Sequence, residues 1–377
     1  MYGGQVPGPN TSLDFILPPN MAALMDSLTL TSTVQIPDVE KAVNMSLFSN
    51  EQARLQSSVT TFNYAVYHPM SEIYQWMLDQ AASTKYVTIM DIGSTNGGND
   101  IKVLKISVSL APNRPAVFLE GTLHAREWIS PASILWMTNE LLQRYGTDAD
   151  VTAILNEFDI YVIPVVNVDG YIYSWQSPEV SKIVLDFGGR TETTQEQLEK
   201  NIQGALGTDL NRNFRIRWSA WDPDNVNPCS DTYKGSFSFS ERETRALKSF
   251  VMSISNRVAF IDIHSYAQLW MYPYAYKQGV TRNDADFRAS AQAATAALTA
   301  VHGTTYKYGP IAEVIYQVTG SICDYMYKKA RIKYSVSLEL RDKGQYGFLL
   351  PAEQIIPTGE ETLAGILAFL DYVRNNP

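Results

Sequence analysis

The 377-residue chain has a deficit of positive charge and no long apolar run. It carries 30 Lys and Arg against 39 Asp and Glu, which gives a formal net charge of −9. Because nucleic-acid binding needs clustered basic side chains, this balance predicts no nucleic-acid partner. No stretch approaches the roughly 18 consecutive apolar residues of a membrane-spanning helix. We therefore expect no membrane partner either.

Cysteine, histidine and early basic residues are also scarce. The two cysteines, Cys229 and Cys323, are too few for a disulfide scaffold, and their separation in sequence leaves their pairing open. No Lys or Arg precedes Lys41, so the chain lacks the basic start and apolar core of a secretory signal. Only four histidines are present, which makes any grouping of them informative.

The remaining composition, 45% apolar and 18% charged, is that of an ordinary globular protein. From Phe62 onward, helix-like segments alternate with short apolar runs, which predicts an α/β domain whose largely parallel sheet is covered on both faces. Residues 174–208 fit neither pattern and are predicted to be a long loop, of the kind that is usually functional or disordered. The predicted strands are 101–110, 116–120, 160–166, 258–263 and 334–340, and the predicted helices are 70–80, 132–145, 241–253, 284–300 and 360–372.

Polar side chains with metal-binding capacity collect at the ends of the predicted strands, where open α/β sheets bind ligands. His124 and Glu127 follow strand 116–120, His264 follows strand 258–263, and Glu339 lies near the end of strand 334–340. Two imidazoles and one carboxylate can hold a catalytic zinc and leave a fourth position open. A histidine at a strand end is more commonly only hydrogen-bonded, so the His-x-x-Glu spacing alone is a weak signal.

Five long motifs, in order, strengthen the zinc interpretation. They resemble the pancreatic-type A/B group of zinc metallocarboxypeptidases, and the resemblance covers nearly all of residues 60–375. It implies a mixed, mostly parallel eight-stranded sheet between helices, and an enzyme that uses one Zn²⁺ to hydrolyse the C-terminal residue of peptides and proteins. The motifs are G-T-L-H-A-R-E-W-I-S-P-A (121–132), T-D-L-N-R-N-F (208–214), I-D-I-H-S-Y-A-Q-L-W-M-Y-P-Y (261–274), Y-K-Y-G-P-I-A-E-V-I-Y-Q (306–317) and L-E-L-R-D-K-G-Q-Y-G-F-L-L-P-A-E-Q-I-I-P-T (338–358).

The resemblance also implies the residues of the reaction centre. His124, Glu127 and His264 match the zinc ligands, a ligand set that is itself the family's known one. Glu339 matches the general base that takes a proton from the attacking water and then passes it to the leaving amine. The alternative for Glu339 is a structural ion pair with Arg341 or another cation.

Substrate recognition is implied in the same way. Asn211 and Arg212 match residues that bind the free C-terminal carboxylate, and Tyr316 matches a mobile tyrosine that closes over it. Arg126 matches a residue that touches the substrate backbone, and its alternative is a surface salt bridge. Together these residues favour recognition of a free carboxylate. An esterase or amidase that acts on another substrate class is therefore a weaker interpretation than a carboxypeptidase.

The pocket for the departing side chain is expected to contain no charge. Cys323 takes the position at which relatives that cleave basic C-termini carry an acid. A Lys or Arg side chain would be desolvated in such a pocket without a partner, so an apolar or aromatic C-terminal residue is expected. The residues assigned to this pocket are Ile311, Ile315, Val318, Ser321, Cys323 and Ser337.

The chain departs from the family pattern after 169–171. The family's R-x-W-R-K-x-R segment, whose central arginine stabilises the oxyanion, is absent, and Arg190 is the nearest arginine before Asn211. The half-cystine expected to pair with Cys229, near Ala205, is also missing. Loss of one oxyanion donor typically costs about 100- to 1000-fold in turnover. The alternative is therefore a catalytically impaired relative that binds zinc and peptide C-termini.

The beginning of the chain resembles the C-terminal part of the family's activation peptide. This divides the chain into a truncated pro-segment, residues 1–54, and a catalytic domain, residues 55–377. Arg54 lies where a trypsin-like protease would release the mature enzyme, although an ordinary exposed arginine is the alternative. A retained pro-segment would occlude the cleft until it is cleaved. The family implies secretion, and nothing in the sequence demands more than a monomer.

Overall fold

The computed structural model of the chain describes residues 34, 36–56, 62–176, 207–220 and 223–377. The predicted loop 174–208 lies almost wholly outside the described residues, and so do Arg190 and Ala205.

The described residues form one eight-stranded mixed sheet in the order β1-β2-β4-β3-β5-β8-β6-β7. Its centre is parallel, because β3 pairs in parallel with both β4 and β5, and β5 pairs in parallel with β8. Every residue of β3 and β4 is buried, so both faces of the sheet are covered, as expected from the apolar runs. The strands are β1 Val87–Ser94, β2 Asp100–Ile106, β3 Ala116–Gly121, β4 Asp159–Ile163, β5 Arg257–Ser265, β6 Leu269–Tyr272, β7 Lys307–Pro310 and β8 Tyr334–Leu340.

Helices cover this sheet and contact one another. The helices α3, α8 and α11 pack together, while α2 and α7 contact the edge strand β1. No helix in the described part of the chain combines the length and apolar character needed to cross a membrane. The helices are α1 Val39–Gln56, α2 Met70–Ser83, α3 Ile129–Arg144, α4 Ala149–Glu157, α5 Val168–Ser174, α6 Pro223–Val226, α7 Arg242–Ser253, α8 Asp284–His302, α9 Ile311–Val314, α10 Ile322–Lys328 and α11 Ile355–Asn375.

The structure confirms the α/β class and refines the boundaries of the elements. The bounds of β8 agree with the sequence prediction, whereas β4 ends at Ile163 because Pro164 has no N–H to continue the ladder. The strands β1, β6 and β7 were not predicted from local patterning. The strands β6 and β7 have four residues each, and β1 is a half-exposed edge strand whose register shifts between Asp91 and Gly93.

A buried acid outside the metal site makes stability depend on pH. Glu243 lies in the first turn of α7 with no exposed surface. Burial raises the pKa of Glu243 from 4.5 to about 7, with a smaller contribution from the charges of Asp169 and Glu241, while hydrogen bonds from its own backbone N–H and that of Asn96 lower it. The carboxyl is protonated in both states below pH 4.5, but only the unfolded chain releases the proton between pH 4.5 and 7. Stability therefore falls through this window as pH rises.

We predict that Glu243→Gln removes this pH dependence. The difference in free energy of unfolding between variant and wild type should grow by up to about 3 kcal/mol from pH 4.5 to pH 8, which corresponds to the pKa shift of the buried carboxyl. Denaturant unfolding at several pH values measures it. The exposed Glu353→Gln is the control and should show no such trend. A pH-independent difference for Glu243→Gln would contradict the prediction.

Candidate active site

Three adjacent parallel strands deliver the predicted reaction-centre residues to one edge of the sheet. His264 lies near the end of β5 and is the register partner of Glu339 on β8. His124 comes three residues after β3, the neighbour of β5 on its other side. Because carboxyl ends of parallel strands share an edge, side chains more than 200 residues apart in sequence converge there.

The three predicted zinc ligands form one compact group. Glu127 bridges the two histidines, with Oε1 2.8 Å from His124 Nδ1 and Oε2 2.9 Å from His264 Nδ1. One ligand atom from each residue lies within 4.8 Å of the others. Among the described residues, this is the one group of three or more His, Cys, Asp or Glu side chains with that spacing. Two imidazole nitrogens and a carboxylate, turned toward one point, fit a Zn²⁺ ion.

Close packing at the end of β3 fixes the first two ligands. A Cβ at Gly121 would lie 2.4 Å from Ser130 Oγ and 2.6 Å from Ile134 Cδ1, so only glycine allows α3 to pack here. Ser130 Oγ donates to the Ile263 carbonyl at 2.6 Å, which ties α3 to β5. Tight turns between these elements place His124 and Glu127 on the same side of the chain.

Further carboxylates stand behind both histidines. His124 Nε2 is 3.1 Å from Asp209 Oδ1, and His264 Nε2 is 2.9 Å from Asp262 Oδ1. Sequence analysis did not single out either acid. Their signal was positional, because Asp209 precedes the predicted Asn211 by two residues and Asp262 precedes His264 by two on the same strand.

The electrostatics of the group favour a bound cation. Burial opposes protonation of His124, but the charges of Glu127 and Asp209 raise its pKa to about 9. The pKa of His264 is also raised, because Asp262 and Glu127 outweigh burial. Burial opposes ionisation of Glu127, yet the two histidines lower its pKa to about 2. The carboxylates stabilise positive charge at both histidines. A site with this property is suited to a divalent metal ion.

The predicted general base, Glu339, stands apart from the arginine that could have been its structural partner. Arg341 instead donates to both carboxylate oxygens of Glu361, with Nε 2.8 Å from Oε1. Burial raises the pKa of Glu339 to about 8, and the negative charge of Glu127 adds to the effect, while His264 lowers it. Arg341 therefore does not engage Glu339, and the carboxyl of Glu339 lies in the field of the metal group.

Asn211, Arg212 and Tyr316 come together beside the metal group. Arg212 Nη2 donates to the Tyr316 hydroxyl at 3.2 Å, and Asn211 Nδ2 lies 3.1 Å from His264 Nε2. The backbone of Gly320, at φ +76°, passes so close to Arg212 that a Cβ there would be 2.0 Å from the Arg212 carbonyl oxygen. This contact requires glycine and holds the arginine segment in place.

The residues assigned to the pocket lie together but differ in exposure. Ile311 and Cys323 belong to a separate apolar cluster with Leu269, Met271 and Ala275, and Val318 packs against that cluster. Ser321 and Ser337 are buried, whereas Ile315 is 36% exposed. Cys323 is a buried thiol that does not pair with Cys229, which lies at the surface.

Arg126 is next to the predicted ligands and stacks on an aromatic ring. Its guanidinium carbon is 4.1 Å from the centre of the Phe348 ring, and Phe348 packs edge-on against Tyr266. This cation–π contact holds the Arg126 guanidinium over the ring. The α/β fold and the group formed by His124, Glu127 and His264 together define the class of the protein, an α/β metallohydrolase with a single-metal centre.

The chain belongs to the zinc carboxypeptidase family, Peptidase_M14, whose match spans residues 73–365. It is therefore a metallocarboxypeptidase of the A/B type that uses Zn²⁺. It is 36% identical to mouse carboxypeptidase A2 over 363 residues, which are 95% of this chain and 82% of the relative. It is 40% identical to bovine carboxypeptidase B over 333 residues, 87% of this chain and 76% of that protein.

Solved structures agree with the fold. Thrombin activatable fibrinolysis inhibitor superposes with a TM-score of 0.84 at 30% identity, covering 95% of this chain and 86% of that one. The carboxypeptidase A of Helicoverpa armigera superposes with a TM-score of 0.80 at 24% identity, covering 90% of this chain and 82% of that one. The eight-stranded mixed sheet expected from the resemblance is thus confirmed.

We predict that His264→Ala abolishes stoichiometric zinc binding, because the remaining imidazole and carboxylate leave the metal with too few protein ligands. Zinc per chain, measured by elemental analysis after dialysis, should fall from one to none. The control is His302→Ala, since His302 lies at the surface in an ion pair with Glu360. Full zinc content in His264→Ala would contradict the assignment.

Proposed function

We propose that His124, Glu127 and His264 hold the catalytic zinc and that Glu339 is the general base for hydrolysis of a C-terminal peptide bond. The observation that carries the proposal is the register of β5 and β8, which places Glu339 beside His264. When bound, the zinc polarises the scissile carbonyl and makes water more acidic. Glu339 takes the proton from the attacking water and delivers it to the leaving amine.

Selectivity for chain ends is assigned to Asn211, Arg212 and Tyr316. Arginine presents a planar fork of donors that matches a carboxylate, and the Tyr316 hydroxyl 3.2 Å away supplies another donor. Arg126, held over Phe348, is proposed to bind the substrate backbone. A free C-terminus, rather than an internal peptide bond, therefore satisfies these donors.

The departing side chain is proposed to be apolar or aromatic. The apolar cluster that contains Ile311 and Cys323 supplies uncharged walls. Two acids near this cluster, Asp324 and Asp262, are fully buried. Asp324 already accepts from Ala275 N at 3.0 Å, and Asp262 Oδ2 accepts from Ser337 Oγ at 3.0 Å. A Lys or Arg side chain would lose hydration there without an acid exposed in the wall.

The experiment compares initial rates on N-blocked peptides ending in Phe, Lys or Glu after trypsin treatment, with and without a zinc chelator. Phe should be released in a chelator-sensitive reaction, with Lys and Glu slow, and the amide of the Phe peptide should resist. Glu339→Gln should lower kcat by about 100- to 10,000-fold because proton transfer is lost. Its KM and zinc content should stay near wild type.

Other outcomes separate the alternatives. Rapid Lys release would contradict the neutral pocket. No release of any residue from zinc-loaded, trypsin-treated protein would favour the alternative function, a zinc- and peptide-binding relative that lacks turnover. Equal kcat in Glu339→Gln and wild type would exclude Glu339 as the base.

Residues 1–54 are proposed to act as a pro-segment that restrains the enzyme, residues 55–377, until a trypsin-like protease cuts. The helix α1 docks through Asn50, whose side chain accepts from Tyr67 N at 2.7 Å and donates to Tyr67 O at 3.1 Å. Arg54 forms an ion pair with Glu72. The helix also lies against Gly347–Leu349, the segment that carries the Phe348 ring under Arg126. This position supports occlusion of the substrate path.

We predict that Arg54→Gln blocks activation by trypsin. Lys41 and Arg54 are the only basic residues before Lys85, so the two candidate cut sites are separable by mutation. After brief trypsin treatment, wild type and Lys41→Gln should gain activity and show a new N-terminus after Arg54. Arg54→Gln should gain neither. Full activity of wild type without proteolysis would contradict the pro-segment proposal.

Action on peptide C-termini outside the cell follows from the same proposal, with secretion and a monomeric state carried over from the resemblance. Size-exclusion chromatography and analysis of culture medium from a eukaryotic host test these two expectations.

A further inference from the structure

The second imidazole of the metal group has a carboxylate on the side away from the metal. The Nδ1 atom of His264 faces Glu127, and its Nε2 atom lies 2.9 Å from Asp262 Oδ1. Asp262 and His264 are two residues apart on β5, so their side chains leave the same face of the strand. Neither side chain is exposed by more than 2%.

The contacts around Nε2 decide which group can accept its proton. If Nδ1 binds the metal, Nε2 carries the hydrogen and needs an acceptor. The Asn211 side chain is also near, but its oxygen accepts from the Ile322 N–H at 2.9 Å, which turns its NH₂ group toward His264. An NH₂ group cannot accept a hydrogen bond. Asp262 Oδ1 is buried, makes no hydrogen bond within the described residues and lies 2.9 Å from Nε2, so it is the acceptor at hand for a hydrogen on Nε2.

Asp262 is itself held in place from neighbouring strands. The register aligns Glu120 of β3, Asp262 of β5 and Ser337 of β8 in one row across the sheet. Ser337 Oγ donates to Asp262 Oδ2 at 3.0 Å, which leaves Oδ1 for His264. All three side chains in the row are buried, so water does not compete for these contacts.

We infer that Asp262 is a positioning residue that orients His264 for zinc through the contact between Oδ1 and Nε2. This inference rests on the proposed ligand role of His264. Asp209 Oδ1 is hydrogen-bonded to His124 Nε2 at 3.1 Å, so each histidine of the centre has a carboxylate beside its Nε2 atom. Loss of such a partner typically weakens metal affinity about 10- to 100-fold.

The test measures zinc affinity of the full chain by competition with a chelator of known affinity. Asp262→Ala should weaken zinc binding about 10- to 100-fold. Asp262→Asn keeps the shape and one acceptor oxygen, so it should weaken binding less. The control is Glu243→Gln, which neutralises a buried acid outside the metal group and should change affinity less than twofold.

Nitrogen-15 NMR of zinc-loaded wild-type protein supplies a readout that needs no substitution at Asp262. The expected spectrum shows His264 with hydrogen on Nε2 and a downfield proton typical of a hydrogen bond to a carboxylate, and Asp262→Asn should shift that proton upfield. A hydrogen on Nδ1 would overturn the inference. Zinc affinity in Asp262→Ala equal to wild type, or weakened no more than in Glu243→Gln, would also overturn it.

The experiments distinguish a wrong ligand assignment for His264 from a wrong positioning role for Asp262. If His264→Ala retains zinc, the proposed ligand set is wrong and the role of Asp262 is wrong with it. If His264→Ala loses zinc while the Asp262 variants match wild type in affinity and NMR spectrum, the ligand set stands and only the positioning role is excluded.

Discussion

The site depends on the parallel register of β3, β5 and β8. This register pairs His264 with Glu339 and, one row deeper, Asp262 with both Glu120 and Ser337. A slip of one residue would turn each of these side chains to the opposite face of the sheet. The apolar residues that alternate with them, and the burial of both faces, fix the register. The packing of the core therefore determines the distance between His264, the proposed metal ligand, and Glu339, the proposed base.

The same register concentrates negative charge that needs a counter-ion. Glu127, Asp209 and Asp262 surround the two histidines, with Glu120 and Glu339 close by. Burying this many acids is costly unless positive charge accompanies them. Protonated histidines supply part of that charge, and a divalent ion bound by the neutral imidazoles would supply it in place of the protons. Metal binding and stability of this edge of the sheet are therefore linked.

Local patterning in the sequence was sufficient for the central strands and long helices, because their apolar residues are buried on regular faces. It did not find β6 and β7, since four residues carry too little periodicity and are held by neighbours. The residues proposed as zinc ligands lie within motifs, which is why the sequence singled them out. Asp262 was not singled out, because an acid in an apolar strand has no local signature; only the strand register shows that it faces His264 and Ser337.

The row beneath the metal links two parts of the enzyme that are usually considered separately. Ser337 is assigned to the pocket for the departing side chain, and its hydroxyl also fixes Asp262, which lies against His264. A larger side chain at this position would reshape the pocket and would also release the carboxylate behind the imidazole. The residues proposed to set substrate preference and those proposed to hold the metal are therefore not independent in this chain. Changes of preference are less constrained at Ile311 and Cys323, which belong to the neighbouring apolar cluster.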